Sequence, residues 1–400
     1  MVNSGRFEMV PPYQDYVTVQ KYDPVTHATS VFNTIYTQSA QDIVIADHFA
    51  YVAAQDSIIK YNLDNYQRVA AIADSGLSKL CIFNDKLIVS KQYPIKRFFV
   101  EVLDLNLALL AFVEGIGGDC GGITTEKDTA YVAMNGGWLG TVGKLCVINT
   151  HSWTLVRQQN FGPNAIGIKD IYNYGGHINC IDNTPYGGGN IGAITAYNFY
   201  QASYVNNVMD VAVGDGAGII GNLLYLKIND GIGAYNLDTQ ILQDTVVIPD
   251  PGSINHRYII SSGVDYVNNH LYVNIGTQSS NGIGVITNLN GDSLTSFPEG
   301  ISTECIAFDY RTPVGLEKRN DAKLNIFPNP FVEKFNVVAG DGISVLKILV
   351  QDITGKILYT VHPESAFKST IQSLSGYPSG VYFLKITTNN GVETRKLIKQ

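Results

Sequence analysis

The chain of 400 residues lacks the features that mark several large classes of protein. It has no run of about eighteen uncharged apolar residues, so no part of it is predicted to cross a membrane as a helix. Charged residues make up only 16% and there are 4 Met, whereas Gly (39) and Tyr (24) are abundant. This composition disfavours helices and favours strands joined by turns. With 45% hydrophobic residues the chain can bury a large core, and its length predicts two or three domains.

Basic charge is scarce in the first part of the chain. From Glu317 onward there are 11 basic and 7 acidic residues, which leaves 16 basic and 28 acidic residues before it. The first part therefore carries a charge of about −12 and the last part about +4. Nucleic acids and anionic membrane surfaces attract basic patches, so we expect neither as a partner. Solubility is the simplest interpretation of the acidic charge.

The five cysteines show no C-x-x-C motif and no spacing to histidine that would indicate a metal site. Cys81, Cys146, Cys180 and Cys305 lie in apolar, strand-like runs and are predicted to be buried as small hydrophobic residues. Cys120 lies between two glycine pairs and is predicted to be the only cysteine near a surface. No metal and no cofactor are expected.

Internal periodicity predicts the fold of residues 1–310. An apolar strand ending in Asp or Asn, a short turn and a second strand recur seven times, at intervals of 38 to 52 residues. That interval fits one four-stranded blade of a β-propeller, and the Asp or Asn suits a hairpin turn because its side chain can bond to an amide two residues later. The recurring residues are Asp23, Asn62, Asp104, Asn149, Asn198, Asn236 and Asn288.

The sequence therefore predicts a seven-bladed β-propeller; two β-sandwiches with coincidental spacing are the alternative. The predicted inner strands are residues 42–46, 79–83, 122–125, 166–171, 217–221, 258–264 and 303–308. The last of these has no hairpin after it, and the first hairpin, 16–35, has no inner strand before it. They complete each other, with residues 1–7 as the second strand of a shared blade. Such closure leaves few exposed edges.

The last eighty residues carry three turn motifs between alternating apolar runs. The alternation predicts a small Ig-like β-sandwich over residues 324–400. The motif residues are Pro328, Asn329 and Pro330 after the first run, Gly355 and Lys356 in a tight turn, and Gly380 and Tyr382 at the start of the penultimate strand. In this order, at the chain end, the three blocks resemble the type A C-terminal sorting domain of the type IX secretion system. An unrelated sandwich is the alternative.

This resemblance implies the location of the protein. A sorting domain is carried across the outer membrane and is usually cut off there, so we expect the type IX secretion machinery as a partner. The expected location is the extracellular space or outer surface of a Gram-negative bacterium. Residues 311–323 have linker composition. Residues 1–6 do not resemble a secretory signal peptide, so we expect one to have been removed or to lie upstream.

Residues 1–310 resemble the surface-layer and amine-dehydrogenase-β-like propellers of exported bacterial proteins, most of which have no established reaction. In an antiparallel blade, the loops between the second and third strands and between consecutive blades lie on one face, which we call the upper face. Arginine and aromatic side chains on long loops there are typical of a glycan- or peptide-binding surface. The candidate ligand-binding residues are Arg97, Trp138, Tyr186, Asp215, His256 and Arg257.

Five histidines are predicted on the opposite, lower rim of different blades, which disfavours a metal or acid–base centre. The glycine-rich stretch 187–192 lies between strands and is interpreted as a loop rather than a dinucleotide fingerprint. We therefore predict a non-enzymatic binding or scaffold module that is monomeric. The alternative is a lyase or hydrolase acting on a polysaccharide or peptide at the channel mouth with Asp119, Asp215, His256 and Arg257. A structural surface protein without a small ligand is a third possibility.

Overall fold

The computed structural model describes residues 1–8, 13–94, 97–182, 191–252, 257–311, 324–339, 345–353, 356–361, 369–388 and 391–400. These residues form strands joined by turns, and their only helical segment is the 3₁₀ turn Gly137–Leu139. None of them belongs to a helix long and apolar enough to cross a membrane. The chain divides into two compact units, Met1–Arg311 and Thr312–Gln400.

The first unit is a seven-bladed β-propeller, as the repeats predict. Each blade is a four-stranded antiparallel sheet, and the innermost strands of consecutive blades contact one another in a closed ring. From the axis outwards the strands are: blade 1, β28 (Thr303–Cys305), β1 (Val2–Asn3), β2 (Val17–Tyr22), β3 (Thr29–Ile35); blade 2, β4 (Ala40–Ala46), β5 (Phe49–Ala54), β6 (Ser57–Asn62), β7 (Gln67–Ala73); blade 3, β8 (Leu77–Phe83), β9 (Lys86–Lys91), β10 (Val100–Asp104), β11 (Leu109–Phe112); blade 4, β12 (Cys120–Glu126), β13 (Thr129–Met134), β14 (Lys144–Asn149), β15 (Thr154–Asn160); blade 5, β16 (Ile168–Tyr174), β17 (His177–Asp182), β18 (Gly192–Asn198), β19 (Ser203–Met209); blade 6, β20 (Val213–Ile220), β21 (Leu223–Ile228), β22 (Gly231–Asn236), β23 (Ile241–Ile248); blade 7, β24 (Tyr258–Asp265), β25 (His270–Gly276), β26 (Asn281–Thr287), β27 (Ser293–Ile301).

An Asx turn joins the third and fourth strands of every blade. In each, the Oδ1 atom of the predicted Asp or Asn accepts a hydrogen bond of 2.8–3.0 Å from the amide two residues later. This bond stabilises the hairpin turn. The amino acids of the strands on either side can therefore differ between blades. The period seen in the sequence is therefore the period of the blades.

Blade 1 closes the ring by combining strands from both ends of the propeller. Strand β1 pairs with β28 on one side and with β2 on the other. The buried Asn3 side chain bonds to both neighbours: its Nδ2 donates to Thr18 Oγ1 and Gln20 Oε1, each at 3.0 Å, and its Oδ1 accepts from Thr303 Oγ1 at 2.7 Å. These bonds join the two ends of the propeller within one sheet.

The two closing strands are shorter than predicted. Strand β28 ends at Cys305 rather than at residue 308, because the chain then leaves the sheet and packs Phe308 edge-on against Tyr272 of blade 7, with ring centres 5.0 Å apart. Strand β1 ends at Asn3 rather than at residue 7. Two residues later Gly5 has φ +79, a left-handed conformation that turns the chain away.

Tyrosines fill the spaces between neighbouring blades. Tyr51 and Tyr61 of blade 2 are fully buried, and the hydroxyl of each is bonded to a neighbouring blade, blade 3 for Tyr51 and blade 1 for Tyr61. Tyr51 Oη donates to the carbonyl of Leu105 at 2.8 Å, and Tyr61 Oη donates to Asn33 Oδ1 at 3.1 Å. A large ring with a polar end suits such a site, which accounts for the abundance of tyrosine.

The prediction for Cys120 was wrong. Cys120 is fully buried at the start of β12, whereas Cys81 is the partly exposed cysteine; Cys146, Cys180 and Cys305 are buried as predicted. The glycines around Cys120 allow close packing instead of forming an exposed loop. A Cβ atom on Gly122, for example, would lie 2.8 Å from the Cα atom of Asp170 in blade 5.

The second unit is a small β-sandwich, in which a three-stranded and a four-stranded sheet share one apolar core. The core contains the fully buried Phe331, Phe335, Leu384 and Leu397. In sheet order the strands are β29 (Leu324–Phe327), β30 (Lys334–Ala339) and β33 (Ser369–Ser373), and β32 (Ile357–Val361), β31 (Val345–Gln351), β34 (Gly380–Thr388) and β35 (Gly391–Lys399).

Replacing Asn3 should weaken ring closure. We expect Asn3→Ala to lower the free energy of unfolding by about 2–3 kcal/mol, because it removes three buried hydrogen bonds and leaves Thr303 Oγ1 without its acceptor. Chemical denaturation would measure the change. Asn290→Ala, in an exposed turn, is the control and should change stability by less than about 0.5 kcal/mol. Equal effects of the two substitutions would contradict the role of Asn3.

Candidate functional site

The structure places the described candidate residues on four different blades. Arg97 lies between β9 and β10, and its guanidinium carbon is 4.8 Å from the ring centre of Phe98. The backbone of Trp138 lies in the 3₁₀ turn of blade 4, and Arg257 is half-buried directly before β24. Asp215 is part of the inner strand β20, whose predicted start at residue 217 was four residues late. Tyr186, His256 and residues 187–190 of the glycine-rich stretch lie outside the described residues.

The strand boundaries place five histidines on the lower rim, as predicted. His48, His177 and His270 lie at turns between the first and second strands of blades 2, 5 and 7, and His27 and His151 lie in turns between third and fourth strands. Across the ranges that the structure describes, no three His, Cys, Asp and Glu side chains are placed to hold a metal ion.

A cleft of about 370 Å³ opens on the upper face between blades 3 and 4. We call it the upper cleft. The side chains of Tyr93 and Leu139 are 83% and 58% exposed there, so an aromatic and an apolar surface are available to a ligand. Asp119 supplies a carboxylate. The lining residues are Gln92, Tyr93, Asp119, Gly136, Gly137 and Leu139.

Backbone contacts hold the carboxylate of the upper cleft in place. Asp119 Oδ1 accepts a hydrogen bond from the Tyr93 amide at 2.7 Å, which links the loops of the two blades. Gly136 and Gly137 have φ of 81 and 67, and a Cβ atom on Gly137 would overlap Asp119 Oδ2. The glycine pair is needed here because it lets the backbone approach the carboxylate.

A second set of polar groups surrounds the propeller axis near the upper ends of the inner strands. In every blade the pairing of the first strand with the second shifts near the start of the inner strand, which there carries one extra residue, a β-bulge; β20 of blade 6 carries a second one at Ala217. Bulges redirect side chains and are common beside functional sites. The shifts fall at Glu304, Gln41, residues 78–79, residues 121–122, Lys169, residues 214–215 and Ile260.

Ionisable side chains from five blades cluster at this level. We call them the channel ring: Asp42, Lys79, Lys169, Asp170, Asp215, Glu304 and, from the second strand of blade 6, Lys227. Lys169 Nζ and Asp215 Oδ2 form an ion pair of 2.9 Å, and their side chains are 46% and 43% exposed. Because both residues are on innermost strands, this exposure shows that the channel is open to water at this level.

The lysines set the charge of the channel ring. Burial would raise the pKa of Asp215, but the ammonium groups of Lys169, Lys79 and Lys227 outweigh it and hold that pKa below its usual value. The carboxylate of Asp42 raises the pKa of Lys79 against the effect of burial, and Asp170 and Asp215 add to the increase. Asp215 and Lys79 are therefore both charged at neutral pH.

The other three carboxyl groups behave differently, since burial raises the pKa values of Asp42, Asp170 and Glu304. Each still accepts a hydrogen bond: Asp42 Oδ2 from the Leu80 amide at 2.8 Å, Asp170 Oδ2 from Tyr172 Oη at 2.8 Å, and Glu304 Oε1 from Ser302 Oγ at 2.5 Å. None of these three carboxyl groups was a sequence-based candidate. The third position of successive inner strands was the signal that could have identified Asp42 and Asp170.

In the second unit, the Pro-Asn-Pro turn is fastened to the last strand. Asn329 Nδ2 donates to the carbonyl of Lys396 at 2.8 Å, and Asn329 Oδ1 accepts from the amide of Ile398 at 2.9 Å. The amide of Phe331 donates to the carbonyl of Ile398 at 2.9 Å, which continues the pairing. Of the other motif residues, Tyr382 is buried and the Lys356 amide bonds to Asp352 Oδ1, while Gly355 lies outside the described residues.

Residues 325–400 match a protein-family model described as the secretion system C-terminal sorting domain. The C-terminal unit is a type IX sorting domain. It directs export through the type IX secretion system to the cell surface or extracellular space, which makes that machinery a partner. The predicted destination is confirmed.

Solved structures support the propeller fold. The chain is similar to U3-55K, with a TM-score of 0.54 and 12% identity over 84% of this chain and 95% of that one. It is also similar to the Kuenenia stuttgartiensis hydrazine synthase, with a TM-score of 0.51 and 12% identity over 81% and 96% of the respective chains. At these identities the similarity shows the fold alone. The comparison with curated proteins found no match.

Removing the Asn329 side chain should impair export. We expect Asn329→Ala to loosen the attachment of the Pro-Asn-Pro turn to β35, since both side-chain hydrogen bonds to that strand are lost, and to lower the amount of propeller at the surface of a type IX-competent host. Surface labelling and periplasmic fractionation would measure the distribution. A chain lacking residues 380–400 should be retained in the periplasm. Asn325→Ala, on the exposed side of β29, is the matched control. Normal surface levels of Asn329→Ala would contradict this role.

A buried carboxyl group lies in a second cleft, of about 290 Å³, between blades 7 and 1. Burial raises the pKa of Glu299 to about 8, although a hydrogen bond with Thr303 acts in the opposite direction. Among the described residues, no group bonds to Glu299 Oε1. The folded propeller therefore favours the protonated form of this residue.

This preference predicts a pH dependence of stability. Because the folded-state pKa of Glu299 lies above its ordinary value of 4.5, its contribution to the unfolding free energy is lost as pH rises from about 4.5 to 8. At pH 9, Glu299→Gln should be more stable than the unsubstituted protein by about 4 kcal/mol. Its unfolding free energy should also depend less steeply on pH. Denaturation between pH 5 and pH 9, about the range of the shift, would test this. Glu114→Gln, at an exposed position, should leave the slope unchanged, and an identical slope for Glu299→Gln would contradict the assignment.

Proposed function

We propose that the exported propeller is a non-enzymatic binding module that holds a glycan or peptide in the upper cleft. The observation that carries this proposal is the exposed Tyr93 and Leu139 beside the fixed carboxylate of Asp119. An exposed aromatic ring can stack on the apolar face of a sugar or on a peptide side chain. The carboxylate can accept hydrogen bonds from hydroxyl or amide groups of the same ligand.

The rigidity of the upper cleft supports binding. The Asn135 side chain accepts a hydrogen bond from the Gly137 amide at 2.9 Å, and the Asp119 carbonyl accepts one from the Asn135 amide at 3.0 Å. A ligand therefore meets an Asp119 backbone and a blade 4 loop that hydrogen bonds already hold in place, and these groups need little ordering on binding. Trp138 lies in sequence between two lining residues, so its backbone position also suits the role predicted for it.

We propose that the propeller, residues 1–310, is the part that acts at the cell surface. Its ring closes through β28, which ends before Arg311, so its fold does not need the sorting domain. The predicted site of separation, residues 311–323, lies almost entirely outside the described residues. A truncated chain ending at Thr312 is expected to remain folded.

One observation favours a second candidate, a hydrolase or lyase. Asp170 and Asp215 lie on neighbouring blades, with the pKa of the first raised and that of the second lowered. Environments that move two carboxyl groups in opposite directions are typical of an acid and a base. In this alternative Asp170 would donate a proton and Asp215 would accept one. Turnover of a bound polysaccharide or peptide would favour it over simple binding.

Glycan and peptide arrays probed with the full chain would test the upper cleft. We expect Tyr93→Ala and Asp119→Asn to weaken binding to the best array ligand at least tenfold, about 1.4 kcal/mol, because each removes one of the two surfaces that the ligand contacts. Tyr200→Ala is the control, since Tyr200 is 70% exposed on the lower face. Absence of binding on both arrays would contradict the proposal and favour a purely structural surface protein.

A further inference from the structure

The channel ring is a site of its own, and we propose that it binds a neutral sugar unit at the propeller axis. This inference goes beyond the upper cleft and does not depend on it. It rests on three features of the ring: the common level of the bulges, the ammonium group of Lys79, which forms no direct hydrogen bond or ion pair with the described residues, and the presence of both signs of charge.

The bulges give the ring its geometry. Each of the seven inner strands inserts its extra residue near the same end, so the redirected side chains lie at one level around the axis. Blade 7 places Ile260 at this position, which shows that the bulge itself does not require a charged side chain. Placing ionisable groups there is costly unless they have partners. The β-bulges alone therefore do not explain why ionisable side chains occupy the channel ring.

Several ring members form direct hydrogen bonds or ion pairs, whereas the Lys79 ammonium group forms none with the described residues and interacts with Asp42 only through its charge. Asp42 bonds to the Leu80 amide, Lys227 donates to the Ile259 carbonyl at 2.8 Å, and Lys169 pairs with Asp215. The ammonium group of Lys79 forms no ion pair or hydrogen bond with any residue in the described ranges, although carboxylates from three other blades act on it. It has three N–H groups available for acceptor atoms of a ligand.

The charge balance selects the class of ligand. The ring contains four carboxyl groups and three ammonium groups, so a ligand of either charge meets groups of its own sign as well as groups of the opposite sign. Hydroxyl groups both accept and donate hydrogen bonds. A neutral sugar can therefore accept from Lys79 and donate to Asp170, Asp215 or Glu304 without bringing a charge into the channel. The exposure of Lys169 and Asp215 shows that these two groups are accessible from the channel.

Titration of the full chain with glucose, galactose, mannose and N-acetylglucosamine, followed by saturation-transfer NMR, would test the site. We expect at least one sugar to bind with a Kd of about 1 mM. Binding should therefore saturate within a titration that reaches about 20 mM sugar. Lys79→Met should weaken that binding at least tenfold, because the donor is lost while most of the side-chain volume remains. Glu304→Gln, which keeps the acceptor of the Ser302 bond, should weaken it about fivefold.

Two controls separate this site from other effects. Lys86→Met removes a lysine from the same blade that is paired with the exposed Asp85 at the turn between β8 and β9, on the lower side, and should leave sugar binding unchanged. Tyr93→Ala should also leave sugar binding unchanged. The proposal for the channel ring and the proposal for the upper cleft can therefore be disproved independently of each other. If Lys79→Met does not fold, Glu304→Gln decides the result.

Three outcomes would overturn the proposal. The first is the absence of saturable binding of all four sugars. The second is binding that is lost in Tyr93→Ala but kept in Lys79→Met, which would assign the sugar to the upper cleft. The third is binding of glucuronate or of free amino acids in place of the neutral sugars, which would show that the ring selects charged ligands.

Discussion

The pairing of the first strand with the last is the constraint on which the rest of the propeller depends. Six blades are local, since each is built from consecutive strands, but blade 1 requires β28 and β1, which are 300 residues apart at the Thr303–Asn3 bond. Only when this pair forms do the inner strands become a closed ring with a defined axis. The upper cleft and the channel ring both use residues that this closure holds at a fixed distance from the axis.

The propeller keeps one backbone plan and varies its side chains. Asx turns recur on one face in all seven blades, and bulges recur near the other end of all seven inner strands. The bulge position holds Ile260 in blade 7, glycines in blade 4 and Lys169 in blade 5. A repeated scaffold of this kind can place unlike groups at equal distances from one axis, which a less regular fold could do only by chance.

What could be predicted from the sequence follows from the range of the interactions. The Asx turns were predictable because Asn62 and its counterparts bond to amides two residues away. The first half of β20 was missed because Gly214 and Gly216 resemble turn residues, whereas a Cβ atom on Gly216 would lie 2.5 Å from the Tyr172 ring. The channel ring was missed because a bulge is a property of paired strands, and Asp42 and Lys79 meet only after their blades have packed. The destination was predictable because its signal is a set of short motifs.

Because Asn329 bonds to Lys396 and Ile398, the first motif of the sorting domain forms only when residues 396–398 are present. Its first motif is completed by backbone groups of the last five residues. A polypeptide that ends early through a nonsense codon, an abandoned translation or a nick by a protease lacks those groups, however well its blades have folded. Only a chain that contains residues 396–398 can complete the Pro-Asn-Pro turn, whatever the state of its propeller.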